Sequence, residues 1–476
     1  MTFLVVYLPF NCNLSGMNVR NAEIEKELKR REYVRRNKNR EVLQAFNAFL
    51  HNQTTGGILL LICAVIAVVF ATIPGEQVLE KVWAKDAILT VGDFSIGMSV
   101  RDWINDGLMA VFFFVVGLEI KREMLVGQLS SIRRSILPIM AAIGGMIVPA
   151  LIFSIFNAGN PETSHGWGIP MATDIAFAIG VLSLLGSRVP VGIKIFLTAL
   201  AIVDDLGAII VLAIFYPTHA LHLNYLLIVA GIMLLLFIFN RMRISNKFLY
   251  LIPGIFMWYF TYLSGIHATI SGVLLAMMIP SKGNINEIRF HTKQQYLLDK
   301  FKAASKGSMH ILASPEQQNI INCMYKDMRH VNPLMFALES KLHPIVNFLI
   351  MPLFALANAG VALNFAPFAD GIPTLTLGVM FGLIVGKPLG IFLFSFISIK
   401  SGLASKPDGV SWLQLAAAGV LGGIGFTMSI FVNGLAFTDP ALCDIGKISI
   451  LMTSTLAAIL GLIALAATCK KSETCE

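Results

Sequence analysis

Two neighbouring carboxylates, Asp204 and Asp205, lie in the middle of an apolar run from Val191 to Tyr216. If the run is a helix with a rise of ~1.5 Å per residue, Asp204 is ~20 Å from one end and ~18 Å from the other, which is the midplane of a bilayer. An ionised carboxylate costs at least ~2.5 to 3.5 kcal/mol at that depth, so the pair predicts a functional site. The structural alternative is that one Asp caps a broken helix and the other pairs with a base.

Interruptions in two other apolar runs reach the same depth. Pro170 stands four residues before Asp174, and residues 422–427 read GGIGFT at the centre of another run. Proline breaks the helical hydrogen-bond ladder, and the helix N-terminus that follows a break carries roughly half a positive charge. Asp174 is therefore predicted to compensate the break in its own run.

A single base accompanies these acids. Lys387 lies twelve residues from each end of the run 375–399. Asp174, Asp204, Asp205 and Lys387 are the only Asp, Glu, Lys or Arg residues deep in the apolar runs. A set of three acids and one base favours a bound cation.

The composition predicts a membrane protein. Of its 476 residues 56% are hydrophobic and 13% are charged, whereas soluble proteins average about 25% charged residues. The mean hydropathy is +0.74. The six Cys show neither a CxxC motif nor paired spacing, so no zinc site, disulfide framework or cofactor is predicted. The net charge of +8 comes from bases in alternate loops, so it does not indicate nucleic-acid binding.

Segments of ~17 to 25 apolar residues can cross a bilayer, and the sequence predicts twelve spans. They are residues 57–73, 104–126, 136–156, 167–186, 191–216, 223–239, 248–263, 266–279, 345–363, 375–399, 412–437 and 445–468. Loops after spans 2, 6 and 8 carry Lys and Arg, and loops after spans 3, 5, 7 and 9 carry none. By the positive-inside rule both termini are cytoplasmic. The predicted fold class is an all-α polytopic membrane protein with discontinuous spans 4 and 11 that cross at the midplane.

Polar segments divide the chain further. Residues 1–45 predict a charged cytoplasmic arm, and 46–280 hold spans 1 to 8. Within them, 86–100 predict an extracytoplasmic β-hairpin, which is marginal alone and is expected to pair with another strand. Residues 281–340 predict a cytoplasmic insert, 341–469 hold spans 9 to 12, and 470–476 form a cytoplasmic tail.

Charged residues also gather at the cytoplasmic end of span 2. Glu119, Arg122 and Glu123 share one helix face, because residues three and four positions apart are neighbours on a helix. Snorkelling to the membrane surface and a regulatory role are both open for them. His267, near the start of span 8, is either a packing residue or part of a proton relay.

Several long strings resemble the signatures of the NhaA family of bacterial sodium/proton antiporters. They are 105–114 (NDGLMAVFFF), 172–178 (ATDIAFA), 194–197 (KIFL), 204–210 (DDLGAII), 386–390 (GKPLG) and 425–431 (GFTMSIF). The resemblance covers residues from about 46 to 468. It implies an electrogenic antiporter of the bacterial inner membrane that exports Na+ or Li+ against a larger number of inward protons. Inverted-topology repeats with midplane sites are a property of this same family, so interrupted spans 4 and 11 do not support the resemblance independently.

The matched positions imply roles for single residues. Asp204 and Asp205 correspond to the ion site, with Thr173 and Asp174 at the unwound crossing beside it and Thr173 as a further Na+ ligand. Lys387 corresponds to the counterion of the crossing. Lys387 and Asp204 are both candidates, beside Asp205, for the groups that carry protons. The resemblance also suggests a homodimer that forms through the hairpin.

The resemblance assigns pH regulation to a cytoplasmic cluster, with one departure. Glu119, Arg122, Glu123, Glu339 and His343 match the family, and we add His267 as a regulatory candidate. Ser340 stands where a family pattern places a second histidine after the glutamate, and Phe336 and Ala337 replace bases before it. The cluster is therefore predicted to tune the pH profile rather than to impose a sharp switch.

Two other classes of membrane protein also use buried acids. An intramembrane aspartyl protease presents its two Asp on different helices, one of them typically in a GxGD string, and this sequence has no such string. A cation channel needs a continuous pore lined by carbonyl or acid rings, whereas the acids here form one local cluster. An occluding carrier fits that cluster better.

Overall fold

The computed structural model describes residues 53–73, 78–91, 94–217, 220–283, 287–304, 314–362 and 371–469. Its helices, numbered in chain order, are α1 (Gln53–Thr72), α2 (Val78–Trp83), α3 (Val100–Leu125), α4 (Ile132–Asn157), α5 (Pro161–Met171), α6 (Ile175–Ser183), α7 (Val191–Phe215), α8 (Leu223–Arg241), α9 (Phe248–Ser264), α10 (Ile270–Met278), α11 (Glu287–Ala303), α12 (Pro315–Val331), α13 (Leu334–Asn358), α14 (Thr374–Lys400), α15 (Trp412–Gly422), α16 (Phe426–Ala436) and α17 (Pro440–Thr468). The predicted arm at 1–45 and tail at 470–476 lie outside the described residues.

Among the described helices, eight are long and apolar enough to cross a membrane: α1, α3, α4, α7, α8, α13, α14 and α17. The pair α5 and α6 and the pair α15 and α16 are each bent at a short break, by 47° and 46°. Helix α9 is apolar over 17 residues, and α10 has only nine. The all-α polytopic prediction is confirmed, and eight to ten of the described helices or bent pairs are long and apolar enough to span a membrane.

Several predicted boundaries differ from the structure. Helix α10 begins at Ile270 rather than 266, because residues 267–272 are joined by tight turns with hydrogen bonds between residues three positions apart. Helix α13 begins eleven residues before the predicted span at 345 and ends at Asn358. Its first turns thus extend into the segment predicted as an insert. The helix was not predicted there because the prediction used apolar runs and this segment contains polar residues.

Close packing of α4 and α14 positions the buried lysine. A Cβ atom on Gly390 would lie 2.0 Å from the carbonyl oxygen of Gly144, so only glycine permits this crossing. Lys387 lies three residues before Gly390 on the same helix, and its side chain is 1% exposed. The glycine contact therefore holds the lysine against the middle of the helix assembly.

Two short antiparallel strands fall within the segment predicted as a hairpin. They are β1 (Asp86–Val91) and β2 (Phe94–Ser99), which pair in a register that joins Asp86 to Ser99. Trp103 at the start of α3 donates its indole N–H to the carbonyl of Ala87 at 2.9 Å. The strands are thus tied to α3.

The segment 281–340 contains α11, α12 and the first turns of α13. Helices α11 and α12 pack against each other, and Lys293 on α11 forms a 2.8 Å ion pair with Asp327 on α12. Pro315 begins α12, and the Ser314 hydroxyl before it accepts a hydrogen bond from the N–H of Gln317, which caps the helix. The described part of this polar segment is therefore mainly helical.

Candidate functional site

The breaks in the two bent pairs bring two helix N-termini to one carboxylate, that of Asp174. Its Oδ1 accepts a hydrogen bond of 2.9 Å from the N–H of Phe177 on α6. Its Oδ2 accepts bonds from the N–H of Thr427 on α16, at 3.2 Å, and from the Thr427 hydroxyl. Both helices begin with N–H groups that have no partner within the helix, so one anion compensates two positive helix ends.

The carbonyl ends at the breaks are matched by donors. The ammonium of Lys387 donates to the carbonyl of Met171, the last residue of α5. The hydroxyl of Thr173 lies 3.1 Å from the carbonyl oxygen of Gly422, the last residue of α15, and the N–H of Asp174 donates to Ile424 at 2.8 Å. Groups of opposite character therefore meet the negative helix ends.

Asp204 on α7 contacts the place where the breaks of the two bent pairs meet, which we call the crossing. Its Oδ2 lies 2.8 Å from the ammonium of Lys387 and 2.5 Å from the hydroxyl of Thr173. Because a hydroxyl has one proton, Thr173 donates to either Asp204 or Gly422 at a given moment. The other oxygen, Oδ1, is buried and has no hydrogen-bond partner among the described residues. Half of this carboxylate is thus satisfied and half is open to a further cation or proton.

Asp205, the next residue on α7, faces a different neighbourhood. The side chain is 2% exposed, and within the described part of the chain its Oδ1 also has no hydrogen-bond partner. Buried polar atoms are nearly always paired, so two such oxygens on adjacent residues make this pair the candidate ligand site. Carboxylate and hydroxyl oxygens suit a hard cation, which fits the residues present here.

A cavity of about 90 Å³ reaches Asp205 and Asp174. Its wall also includes Thr198, Glu119 and His343. The volume exceeds the space that one water molecule needs. The two groups of titratable residues that the sequence predicts separately, the midplane acids and part of the charged cluster, therefore share one cavity.

The charged cluster is centred on a single guanidinium. Arg122 lies 3.2 Å from Glu339 on α13, 3.4 Å from Glu123 and 3.7 Å from Glu119. Three carboxylates therefore share one positive charge. His343, one turn beyond Glu339, has its Nδ1 3.1 Å from the amide nitrogen of Asn347.

His267 lies apart from this cluster. The ring is 3% exposed, packs against Phe431, and has its Nδ1 3.8 Å from a carboxylate oxygen of Asp106. Asp106 is thirteen residues before Glu119 on α3, a distance of ~20 Å along a helix. The structure thus associates His267 with the opposite end of α3, among aromatic side chains.

The crossing includes two hydroxyls that sequence reasoning did not single out, those of Thr427 and Ser454. The Thr427 hydroxyl donates a hydrogen bond to Asp174. The Ser454 Oγ on α17 accepts a 3.0 Å hydrogen bond from the N–H of Phe426. Thr427 is the last residue of the predicted break at 422–427. For Ser454, the only signal is its place at the centre of its helix, 14 residues from both Pro440 and Thr468.

Comparison with known proteins places the whole arrangement in context. The sequence profile of the Na+/H+ antiporter 1 family matches residues 47–465. The chain is similar to the Na(+)/H(+) antiporter NhaA of Wolinella succinogenes, with 44% identity over 90% of this chain and 94% of the relative. It is equally similar, at 44% identity over 89% of this chain and 95% of each relative, to NhaA 2 of Helicobacter hepaticus and NhaA of Helicobacter pylori strain J99.

Proposed function

This chain belongs to the NhaA family of Na+/H+ antiporters, and from this premise we propose an electrogenic exchanger that exports Na+ or Li+ against a larger number of inward protons. The protein is a multi-pass membrane transporter that exchanges Na+ and H+, and not an enzyme. One observation carries the finer proposal. Two adjacent buried carboxylates each have an oxygen that finds no hydrogen-bond partner in the described structure, and a cavity reaches one of them.

The ion site in this proposal consists of Asp204, Asp205 and Thr173. Two adjacent carboxylates in a low-dielectric interior cannot both be ionised cheaply, so they hold protons or a cation. A sodium ion that enters through the cavity replaces the protons on the pair. Because Lys387 lies 2.8 Å from Asp204, the same ion also competes with the ammonium for that carboxylate.

Exchange then requires that the pair face each side of the membrane in turn. We propose that the crossing, with Asp174 and Lys387 at its centre, changes its orientation while it holds either sodium or protons. Because the site changes its orientation only while it holds sodium or protons, sodium moves across the membrane in one direction and protons move in the other. The electrogenic stoichiometry follows in this scheme if more than one of the groups Asp204, Asp205 and Lys387 releases a proton for each Na+.

The membrane arrangement is part of the same proposal. Helices α9 and α10, added to the ten apolar spans, give twelve, and spans 3–5 and 10–12 form inverted-topology repeats. Both termini then lie in the cytoplasm, and the cavity that contains Glu119 and His343 opens to that side of the bacterial inner membrane. Arg122 and the carboxylates around it adjust the profile of activity with pH at this entrance, with His267 as a second regulatory candidate.

A proteoliposome assay tests the exchange against its alternatives. Sodium added to one side should be exchanged for protons that appear on that same side, and a protonophore should abolish the pH change. A channel would pass sodium current without obligatory proton movement, and an aspartyl protease would cleave a membrane peptide. The proximity of Asp204 and Asp205 on one helix already disfavours the protease, which needs its acids on two helices.

The first prediction concerns the dependence of transport on pH. If protons and sodium compete for Asp204 and Asp205, lower pH fills the site with protons and raises the KM for sodium. The KM should therefore fall steadily from acid to alkaline pH. Sodium-dependent proton flux measured over that range should show this fall.

The cluster at the cavity entrance supplies the matched variants. His343→Ala should shift the curve only modestly, because Ser340 provides no titratable group beside it. His291→Ala, an exposed histidine on α11, serves as the control and should leave the curve unchanged. A KM that stays flat while Vmax collapses at acid pH would reject simple competition in favour of a remote gate.

We further propose that the hairpin of β1 and β2 joins two copies of the chain. In a two-stranded sheet, one edge of each strand has no neighbouring strand to pair with, and such edges pair readily with strands of another molecule. Ile88 on β1 is 66% exposed, which adds apolar surface to that edge. A homodimer formed by strand pairing would cover both features.

The second prediction is that deletion of the hairpin yields monomers that still exchange ions. The ion site lies within one chain, so transport does not require the second copy. Replacement of residues 87–98 by a short Gly-Ser linker, followed by size determination in detergent and a flux assay, measures both properties. Dimers that survive the deletion, or monomers without exchange, would argue against this arrangement.

A further inference from the structure

Helix α16 begins without a capping side chain of its own. Its N-cap residue is Gly425, which makes no side-chain hydrogen bond. A Cβ atom at that position would lie 2.1 Å from the hydroxyl oxygen of Ser429, so a Ser, Thr or Asp cap does not fit without rearrangement. The first N–H groups of the helix must therefore find acceptors on other helices.

Two residues from different helices divide this task. Asp174, on the α6 side, accepts from the N–H of Thr427, and Ser454 on α17 accepts from the N–H of Phe426. Ser454 is 2% exposed, so water does not replace it. The ring of Phe426 also lies 5.2 Å from that of Phe177, whose N–H is bound by Asp174. Ser454 thus holds the residue directly before the Asp174 contact.

We propose that Ser454 is a positioning residue that sets the affinity of the ion site by fixing the start of α16. The inference depends on the proposed function, since it acts through Asp174 at the crossing. If the Phe426 N–H loses its acceptor, the first turn of α16 shifts and Thr427 no longer meets Asp174 in the same geometry. The charge of Asp174 is then compensated differently, close to Asp205 in the shared cavity.

The expected effect is on affinity rather than on turnover. Helices α16 and α17 pack directly against each other, so the Ser454 contact lies inside one packed unit. A contact of that kind persists while the unit changes its orientation. Ser454→Ala should therefore raise the KM for sodium by roughly three- to tenfold and keep Vmax within about twofold.

Three variants separate positioning from a general loss of structure. Ser454→Thr retains the hydroxyl and should restore the KM to within about twofold of the unsubstituted protein. Thr455→Val removes an exposed hydroxyl that bonds only its own helix at Leu451, and should change nothing. Thr427→Val removes the hydroxyl bond to Asp174 and keeps the backbone bond, so in this background Ser454→Ala should raise the KM by a smaller factor than it does alone.

The experiment measures sodium-dependent proton flux in proteoliposomes, with Asp205→Asn in parallel. Unchanged KM in Ser454→Ala, or lower thermal stability alone, overturns the inference while the loss of exchange in Asp205→Asn still supports the proposed function. Retained exchange in Asp205→Asn overturns the site assignment and the inference with it. If Ser454→Ala does not fold, Ser454→Cys, a weaker acceptor of the same shape, should show a smaller rise in KM, and an unchanged KM there is equally decisive.

Discussion

Replacement of Asp205 by Asn is expected to abolish sodium-driven proton release. Asparagine keeps the shape of the side chain but loses the negative charge and the proton-binding oxygen. With sodium bound, Asp205 would be one partner of a buried ion pair, and removing one partner of such a pair costs about 3–5 kcal/mol, which corresponds to more than about a hundredfold in sodium affinity. The same change removes a proton carrier, so higher sodium concentrations should not restore exchange.

Asp204→Asn should abolish or severely impair exchange for a related reason. Asp204 already interacts with Lys387 and Thr173, so replacing its carboxylate by a neutral amide leaves a buried ammonium without the anion that it contacts. Asp299→Asn on the exposed surface of α11 is the matched control and should transport normally. Normal sodium-dependent flux in both buried variants would refute the site, whatever their stability.

Much of this site was accessible from sequence because membrane burial makes charge conspicuous. Asp174, Asp204, Asp205 and Lys387 stand out in apolar runs where an ionised group is costly. In the structure Lys387 contacts Asp204, and Asp174 contacts the start of α16 at Thr427. Thr173 lies between Asp204 and the carbonyl of Gly422, so Asp174, Asp204 and Lys387 meet at one place. Depth along a helix predicts which residues can meet, although it does not predict which atoms pair.

The sequence does not predict in the same way which Ser and Thr hydroxyl groups belong to the site. A Ser or Thr in a helix commonly donates to the carbonyl four residues earlier, as Thr455 does to Leu451. Nothing in the residue type distinguishes such a side chain from Ser454, which instead accepts from another helix. Backbone acceptors such as the carbonyl of Met171 have no side-chain signature, so their role appears only when the breaks are seen in space.

The shared cavity was likewise out of reach of the sequence. Glu119 and His343 are 224 residues apart in the chain, and each is separated from Asp205 by several helices. Apolar periodicity describes which face of a helix is buried, but it does not specify which buried faces leave space between them. The link between the charged cluster and the ion site therefore depends on packing.

Lys387 is the residue of the crossing whose substitution should disturb the balance of charges most. Asp174 compensates two N-termini, and Lys387 compensates one C-terminus and Asp204. No other Lys or Arg lies deep in the apolar runs of the sequence. A change at this single residue should therefore disturb the stability of the fold and the exchange reaction together.

Lys387→Ala is accordingly expected to lower the free energy of unfolding by about 3–5 kcal/mol, because it leaves Asp204 buried without its counterion. Turnover should fall as well, since the ammonium competes with sodium for Asp204. Thermal unfolding in detergent and flux in proteoliposomes measure the two effects.

Lys387→Met fills most of the space that alanine would leave empty, so the stability loss that it shares with Lys387→Ala reports the missing charge rather than a cavity. Lys387→Arg retains a positive charge, although its planar head fits a point-charge site less well, and should lose less stability than either. Lys400→Ala, an exposed lysine at the end of the same helix, should change neither property. If Lys387→Met unfolds and transports like the unsubstituted protein, the ammonium is not the counterion, and Thr173 together with a proton on Asp204 must satisfy that carboxylate instead.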